Sequence, residues 1–554
     1  MVYWFLIVLI LILIAILFRR SFLKKKKLTD IRDQWGKPKY FHRSFKLISY
    51  YLTAYGDEND ISTATATDLD LEDIFSYIDR TNSKPGQQYL FKKLWSNEVS
   101  ESYFTALEQI IERFSKDRHL RELTAFKLSE LNNDDAYYLP QLFSKTHQPI
   151  FKPFIRFYIK ISAMLILSLI IALVIIPNQI YLVLIFTLLI TNFVIHIGNK
   201  TKMLTYAHSL PQVLFLNKVS TWLFNHDLLT KSDAVKQSLM NVGKLKKSLG
   251  FINIQNKITA DPTDISYLVT EWLKMFLLIE PLNFIYSIDK INKYRDDIRV
   301  LFECVAEVDI AIAIQSVREG LPYYSKPNFN KESEDIVVKD LYHPLVENCV
   351  SNSISIDSNQ GILITGSNMS GKTTFIRALA VNALLSQTIN TSFATIYKAP
   401  PLKILTSINI NDDLSEHKSY FQAEASSIRN IIRSCTENKS LRSLVIIDEI
   451  FRGTNTIERI AAAKAVLSHL IENKTFVLVS THDLELAELL GNDYKVFSFE
   501  ELIGDNRLVF DYKIKEGLLK NKNGIAVLKG LDYPQNIIDE ASMISIQLRN
   551  KYNL

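Results

Sequence analysis

Residues 1–18, MVYWFLIVLILILIAILF, are apolar without a break, and the pattern turns basic at once with Arg19, Arg20 and Lys24 to Lys27. As a helix rising about 1.5 Å per residue the run reaches about 27 Å, enough for a thin hydrocarbon core. A second apolar region, residues 161–198, consists of two runs split by Pro177, Asn178 and Gln179. Turn formers at that midpoint predict a helical hairpin. The stretches 29–150 and 203–320 return apolar residues every three or four positions, as in INKYRDDIRVLFECVAEVDIAIAIQSVREG (291–320), which predicts amphipathic helices. From about 336 onward β-branched runs set in and the pattern becomes α/β. The polar stretch YYSKPNFNKESED marks the change near 330. The predicted division is an anchor with a basic flank (1–28), a helical region (29–150), a transmembrane hairpin (151–202), a helical core or lever (203–330) and an α/β domain (331–554).

Charge orients this arrangement. Lys152, Arg156 and Lys160 precede the hairpin and Lys200 and Lys202 follow it, so both its ends lie on the basic side. With the basic flank of the first segment, the positive-inside rule predicts a multi-pass membrane protein with three helices. Its N-terminus would be outside, and residues 19–160 and 199–554 in the cytoplasm. A cleaved signal peptide fits the first segment poorly, because it has no basic n-region and no A-x-A-like site. No Asp, Glu, Lys or Arg lies within the three apolar spans, which favours an anchor in membrane lipid over a transport path. Hydrophobic residues are 47% and charged residues 22%, and the net charge of +5 is too small to argue for nucleic acid by itself. Cys304, Cys349 and Cys435 are far apart and fit no metal or disulfide framework.

The chemistry is concentrated in the α/β domain. GILITGSNMSGKTTFIRALA (361–380) is a short apolar run, a glycine-framed loop and an apolar-periodic stretch. Gly366, Gly371, Lys372 and Thr373 fill G-x-x-x-x-G-K-[ST]. In strand–loop–helix context the loop Gly366, Ser367, Asn368, Met369, Ser370, Gly371, Lys372, Thr373 and Thr374 is the predicted phosphate cradle. Its backbone N–H groups and the helix N-terminus face the phosphates, Lys372 reaches the β- and γ-phosphates, and the Thr373 hydroxyl ligates Mg²⁺. SLVIIDEIFRGTNT (443–456) predicts a strand ending in Asp448 and Glu449. Asp448 would stand beside Mg²⁺ and Glu449 would orient or deprotonate the attacking water. A third strand, in TFVLVSTHDLELAELL, ends near His482, placed to sense or polarise the γ-phosphate.

TGSNMSGKTT, DDLSEHKSYFQAEASSIRNII (412–432), IIDEIFRGTNTIE and STHD, in this order, resemble the MutS family of ATPases. Asn368 and Met369 match the family's P-loop, Asp448 through Thr456 its D-E-x-x-R-G-T-x-T segment, and Ser419, Phe421 and Glu424 its ABC-type signature. LYHPLV (341–346), the tail 508–541 and, more weakly, YIDRTNSKPGQQYLFKKLW (77–95) extend the likeness. The resemblance implies an ABC/MutS-like P-loop ATPase domain at the C-terminus, binding ATP and Mg²⁺. It also implies a homodimer in which Ser419 faces the partner's γ-phosphate. ATP binding would close the dimer and hydrolysis would reopen it, swinging helical arms. The chain departs from the family in several places. No F-x-E mismatch reader is found and the hairpin interrupts the helical region. Cys349 and Val350 stand where an aromatic often stacks on adenine, and Phe451 replaces the usual glycine. DNA therefore stays an open partner, without mismatch specificity. The alternative reading is a nucleotide-switched interaction or signalling module that organises a membrane complex.

Overall fold

The computed structural model describes residues 2–57, 60–149, 151–207, 209–245, 272–330, 333–367, 369–409, 420–437, 441–473, 475–504, 507–518 and 533–552. They form two compact units, each assembled from separate pieces of the chain. One unit comprises Met1–Gly56, Asp79–Lys92 and Thr105–Ser316; the other comprises Asp57–Ile78, Lys93–Phe104 and Val317–Leu554.

The first unit is helical. Helix α1 (Val2–Asp33) runs unbroken from the apolar N-terminal segment through the basic stretch. Its apolar end exposes Tyr3, Trp4, Ile7, Leu11 and Ile14. Its basic end packs on the helix Arg118–Leu128, with Arg32 paired to Glu122 at 2.7 Å and Lys24 over the Phe126 ring. Helices α2 (Pro153–Ile175) and α3 (Gln179–Ala207) flank the turn at Pro177 and Asn178. Two helices among the described residues are long and apolar enough to cross a membrane, Pro153–Ile175 and Gln179–Asn199, by length and composition. The third predicted span, residues 1–18, is the start of α1 and is not one of these two. Near the foot of the hairpin the polar side chains turn inward: Tyr158 donates to Asn192 at 2.8 Å, and Asn192 is fully buried.

A buried polar turn organises the rest of this unit. Asp309 lies on helix α4 (Ile279–Glu319), which is kinked at Tyr294, and is wholly buried. Its carboxylate accepts hydrogen bonds from Asn82 N (2.8 Å), Asn82 Nδ2 (3.1 Å), Ser83 N (2.7 Å) and Ser83 Oγ (2.6 Å). Burial pushes the Asp309 carboxyl up, and these donors oppose the shift. Gly86 lies in the first turn of the helix Lys84–Trp95, where a Cβ would stand 2.8 Å from both Cβ and Cγ of Asp309. Gly86→Ala is therefore expected to destabilise the fold by about 3 kcal/mol, although alanine favours a helix by about 1 kcal/mol. The carboxylate cannot retreat without leaving its donors. Chemical denaturation of the variant beside the wild type measures the difference.

The second unit is α/β. Strands β1 (Asn328–Phe329), β2 (Asp335–Leu341), β3 (Asn352–Asp357) and β5 (Ile396–Ala399) form a four-stranded sheet in the order β1-β5-β2-β3. A second sheet has the order β10-β9-β4-β8-β7-β6. Its strands are β4 (Gly361–Thr365), β6 (Leu402–Ser407), β7 (Arg442–Asp448), β8 (Phe476–Ser480), β9 (Tyr494–Gly504) and β10 (Arg507–Glu516). All but β10 run parallel. β4 and β8 are buried at every position, as parallel strands covered on both faces require. Helices α5 (Lys372–Ile389), α6 (Tyr420–Glu437) and α7 (Thr456–Glu472) belong to the same unit. Because β4, β8 and β7 are neighbours and parallel, the loops after them open at one edge, the usual place for a ligand in such a sheet.

Candidate nucleotide site

The loop between β4 and α5 bends as only glycine does freely. Gly366 has φ +147°, and a Cβ there would lie 2.8 Å from Ser370 Oγ and 2.9 Å from the Phe499 carbonyl. Gly371, at φ +100°, caps α5. Lys372 is buried and folds back over the loop, donating to the carbonyls of Gly366 and Ser367 at 2.7 Å each. Ser370 Oγ donates to the Ser367 carbonyl at 2.8 Å, and the buried Ser367 Oγ has no protein partner. Met369 is exposed, and Asn368 lies outside the described residues. A cleft of about 470 Å³ adjoins the loop, lined by Val346, Cys349, Asn352, Met369, Thr374 and Tyr512 among others.

Strand pairing brings Asp448 to this loop. Thr373 Oγ1 donates to Asp448 Oδ2 at 2.8 Å, and Ser480, directly across the β7–β8 ladder, donates to Asp448 Oδ1. A hydroxyl and a carboxylate this close suit Mg²⁺, which keeps most of its coordination for water and phosphate oxygen. The orphaned Ser367 hydroxyl, the Cβ-free bend at Gly366 and the lysine within the loop fit a bound phosphate chain. Glu449 follows at φ +55°, its N–H donating to the Ser480 carbonyl at 2.9 Å. Its Oε1 lies 2.8 Å from His482 Nε2 and its Oε2 lies 2.9 Å from Arg452 Nε. The hydrogen bond from His482 and then the Arg452 charge hold the Glu449 carboxyl below the usual carboxylate range, against burial.

The structure thus gathers Gly366, Ser367, Ser370, Gly371, Lys372, Thr373, Asp448, Glu449 and His482 at one sheet edge. Thr374 is on α5 and lines the cleft. Ser419 lies outside the described residues. Sequence reasoning gave no role to Arg452, Ser480 or Tyr512. Arg452 also donates to the Asp448 carbonyl at 3.0 Å, so it touches both adjacent acids; its spacing of i+3 and i+4 from them was the available signal. Tyr512, 45% exposed at φ +54°, lines the same cleft as Cys349 and Val350. Asn352 holds it there, donating to the Tyr512 carbonyl and accepting from Ile514 N, both at 2.9 Å.

Glu424, on α6, is buried and accepts from the N–H of Phe451. Phe451 has φ +60°, a backbone shape natural to glycine. Its buried ring lies 5.9 Å from that of Phe421, so packing offsets the strain that a side chain meets there.

His343, beside the cleft, accepts from Leu345 N at 3.2 Å, and burial with the nearby Arg377 charge lowers its pKa to about 4. A histidine held neutral lends stability above its unfolded pKa and loses it as pH falls, since between about 6.5 and 4 the unfolded chain binds more protons. Stability is therefore expected to drop by up to about 3 kcal/mol across that window. His343→Gln is expected to flatten the pH dependence of the denaturation midpoint there.

A family profile described as MutS domain V matches residues 362–549, the stretch that carries these strands and loops. Similar proteins include the DNA mismatch repair protein MutS of Listeria welshimeri, 30% identical over 331 residues, covering 56% of this chain and 37% of that protein. The corresponding proteins of Clostridium tetani (30% over 330 residues; 56% and 36%) and Clostridium botulinum (32% over 272 residues; 46% and 28%) are similar in the same way. The matches span between 28% and 37% of the length of these curated relatives. The domain V match falls on the nucleotide site, and with these relatives alongside it residues 362–549 belong with MutS domain V.

Proposed function

We propose that this chain is a Mg²⁺-dependent ATP hydrolase of the MutS type, held at a membrane by its apolar helices. The observation that carries the reading is the 2.8 Å pairing of Thr373 with Asp448 beside a lysine-bearing glycine loop, with Glu449 next in sequence. Lys372 exchanges its two carbonyl partners for β- and γ-phosphate oxygens. Thr373 and Asp448 hold Mg²⁺, whose chemistry there is to neutralise phosphate charge as the bond to the leaving group lengthens. Glu449 positions the water, and His482 and Arg452 fix the Glu449 carboxylate. Tyr512 offers its face to the base across the cleft, the role an aromatic near Asn352 has in the family pattern. Ser419 completes the partner's site in a homodimer. The basic flanks support a cytoplasmic ATPase, an outside N-terminus and a third span in α1.

A second reading has its own support. Both Glu449 oxygens are engaged, one by the Arg452 guanidinium and the other by the His482 ring, an arrangement suited to a nucleotide switch that binds and holds. The deciding measurement is ATP turnover by the full chain in lipid nanodiscs, with Mg²⁺ and after its chelation, and with duplex or branched DNA added. Mg²⁺-dependent turnover supports the hydrolase. Tight nucleotide binding without turnover supports the switch. Retention of DNA that weakens steeply with salt would make DNA a partner; no retention at low salt removes it.

A further inference from the structure

The nucleotide-binding unit incorporates a stretch from far upstream, and one turn of it touches two sides of the site's frame. The short helix Thr63–Asp68 is capped by Ser62, and Asp68 is 3% exposed. Its Oδ2 accepts from Thr406 Oγ1 at 2.7 Å and Ile408 N at 3.0 Å, and its Oδ1 accepts from Asn409 N at 2.7 Å. These are the last residue but one of β6 and the backbone that leaves it. Two residues on, Asp70, at φ +50°, pairs with Arg377 of α5 at 2.6 Å.

Both contacts lead to the chemistry by short routes. β6 pairs with β7 in register, Ser407 opposite Ile447, so the end of β6 fixes the strand position immediately before Asp448. Ser427 of α6 donates to Ser407 Oγ at 3.3 Å, and α6 carries Glu424, which holds the Phe451 N–H just after Glu449. On the other side, Arg377 is a little over one turn along α5 from Lys372 and Thr373.

We propose that Asp68 and Asp70 are positioning residues of the nucleotide site, Asp68 setting the β6–β7 edge that carries Asp448 and Glu449 and Asp70 setting the helix behind the phosphate loop. The proposal rests on the ATP-hydrolase reading and adds residues that no motif contains. The two contacts act on different steps. Asp68 works through the acids of the chemical step, and Asp70 through the loop that binds phosphate. Hydrogen bonds from two N–H groups and a hydroxyl fit a carboxylate and not an amide, whose NH₂ would face donors.

The test is ATP turnover and nucleotide affinity of the full chain in nanodiscs, with thermal midpoints taken on the same samples. Asp68→Asn is expected to lower kcat about tenfold with Kd for a fluorescent ATP analogue within about twofold, while Asp70→Asn raises that Kd about fivefold with a smaller change in kcat. Thr406→Val follows Asp68→Asn more weakly, and Thr406→Ser, which keeps the donor, retains wild-type kcat. This pair decides the matter if Asp68→Asn does not fold. The proposal is overturned if folded Asp68→Asn and Thr406→Val turn over at the wild-type rate, or if kcat and affinity fall together with the thermal midpoint in every variant. A wild-type chain without turnover removes the hydrolase reading and the positioning role with it; an active wild type with indifferent variants removes the positioning role alone.

Discussion

Glu449→Gln is expected to lower kcat for ATP hydrolysis about a hundredfold or more while leaving nucleotide affinity within about threefold. The substitution keeps the size of the side chain and its acceptor oxygen. It removes the charge that draws in His482 at 2.8 Å and Arg452 at 2.9 Å, and with it the carboxylate proposed to orient or deprotonate water. The Lys372, Thr373 and Asp448 positions do not depend on it. Because its pKa is depressed, chiefly by the His482 hydrogen bond, Glu449 is ionised throughout the neutral range, so the difference from glutamine is present across it. The same cause gives a direction in acid. His482→Ala removes the largest depressing influence, so the acid limb of the rate profile is expected to begin at a higher pH than in the wild type. Steady-state turnover between pH 4 and 8, with affinity measured separately, checks both statements. Equal rates in wild type and Glu449→Gln would leave the carboxylate without a catalytic part.

Gly366→Ala is expected to abolish useful nucleotide binding, with a loss of affinity of about a hundredfold, or roughly 3 kcal/mol. Two effects combine. A φ of +147° is strained for any side chain, and the new Cβ would stand 2.9 Å from the Phe499 carbonyl. That carbonyl is on β9, one residue past Ser498, the last position paired with β4, and Phe499 itself pairs with Ile514 of β10, so it cannot give way without disturbing the sheet. Gly491→Ala supplies the control: φ is +53°, and nothing lies within 4 Å of the Cβ position. It should show backbone strain alone, about 1 kcal/mol, with nucleotide binding retained. Equilibrium binding of a fluorescent ATP analogue separates the two variants.

What the sequence disclosed follows from which contacts are local. The phosphate loop and the Asp448–Glu449 strand end are each contiguous, and their chemistry requires particular residues at fixed spacing, so both were legible before any fold was known. The parallel strands then bring them together, with Asp448 opposite Ser480. Arg452 was within sight on the same motif, but its use depends on the left-handed turn at Glu449 and Phe451, which a phenylalanine conceals. Tyr512 and Asp68 left no local trace. One reaches the cleft through an asparagine 160 residues away, and the other reaches β6 across 338 residues. Hydropathy predicted three spans; among the described residues two helices meet the length and composition for one, and α1 joins its apolar run to a helix that packs on protein.

That upstream stretch also bears on how the protein is made. Asp68 must find Thr406, which the ribosome adds 338 residues later. At about 5–20 residues per second that is a delay of roughly 15–70 s. Until the strands from Asn328 onward are made, the side chains of Leu69, Leu71, Ile74 and Phe75, all buried in the finished unit, lack most of that unit to pack against. The nascent chain therefore carries an unburied apolar segment for much of its synthesis, and its yield in cells is expected to be sensitive to translation speed between residues 80 and 400 as well as to the stability of the final fold.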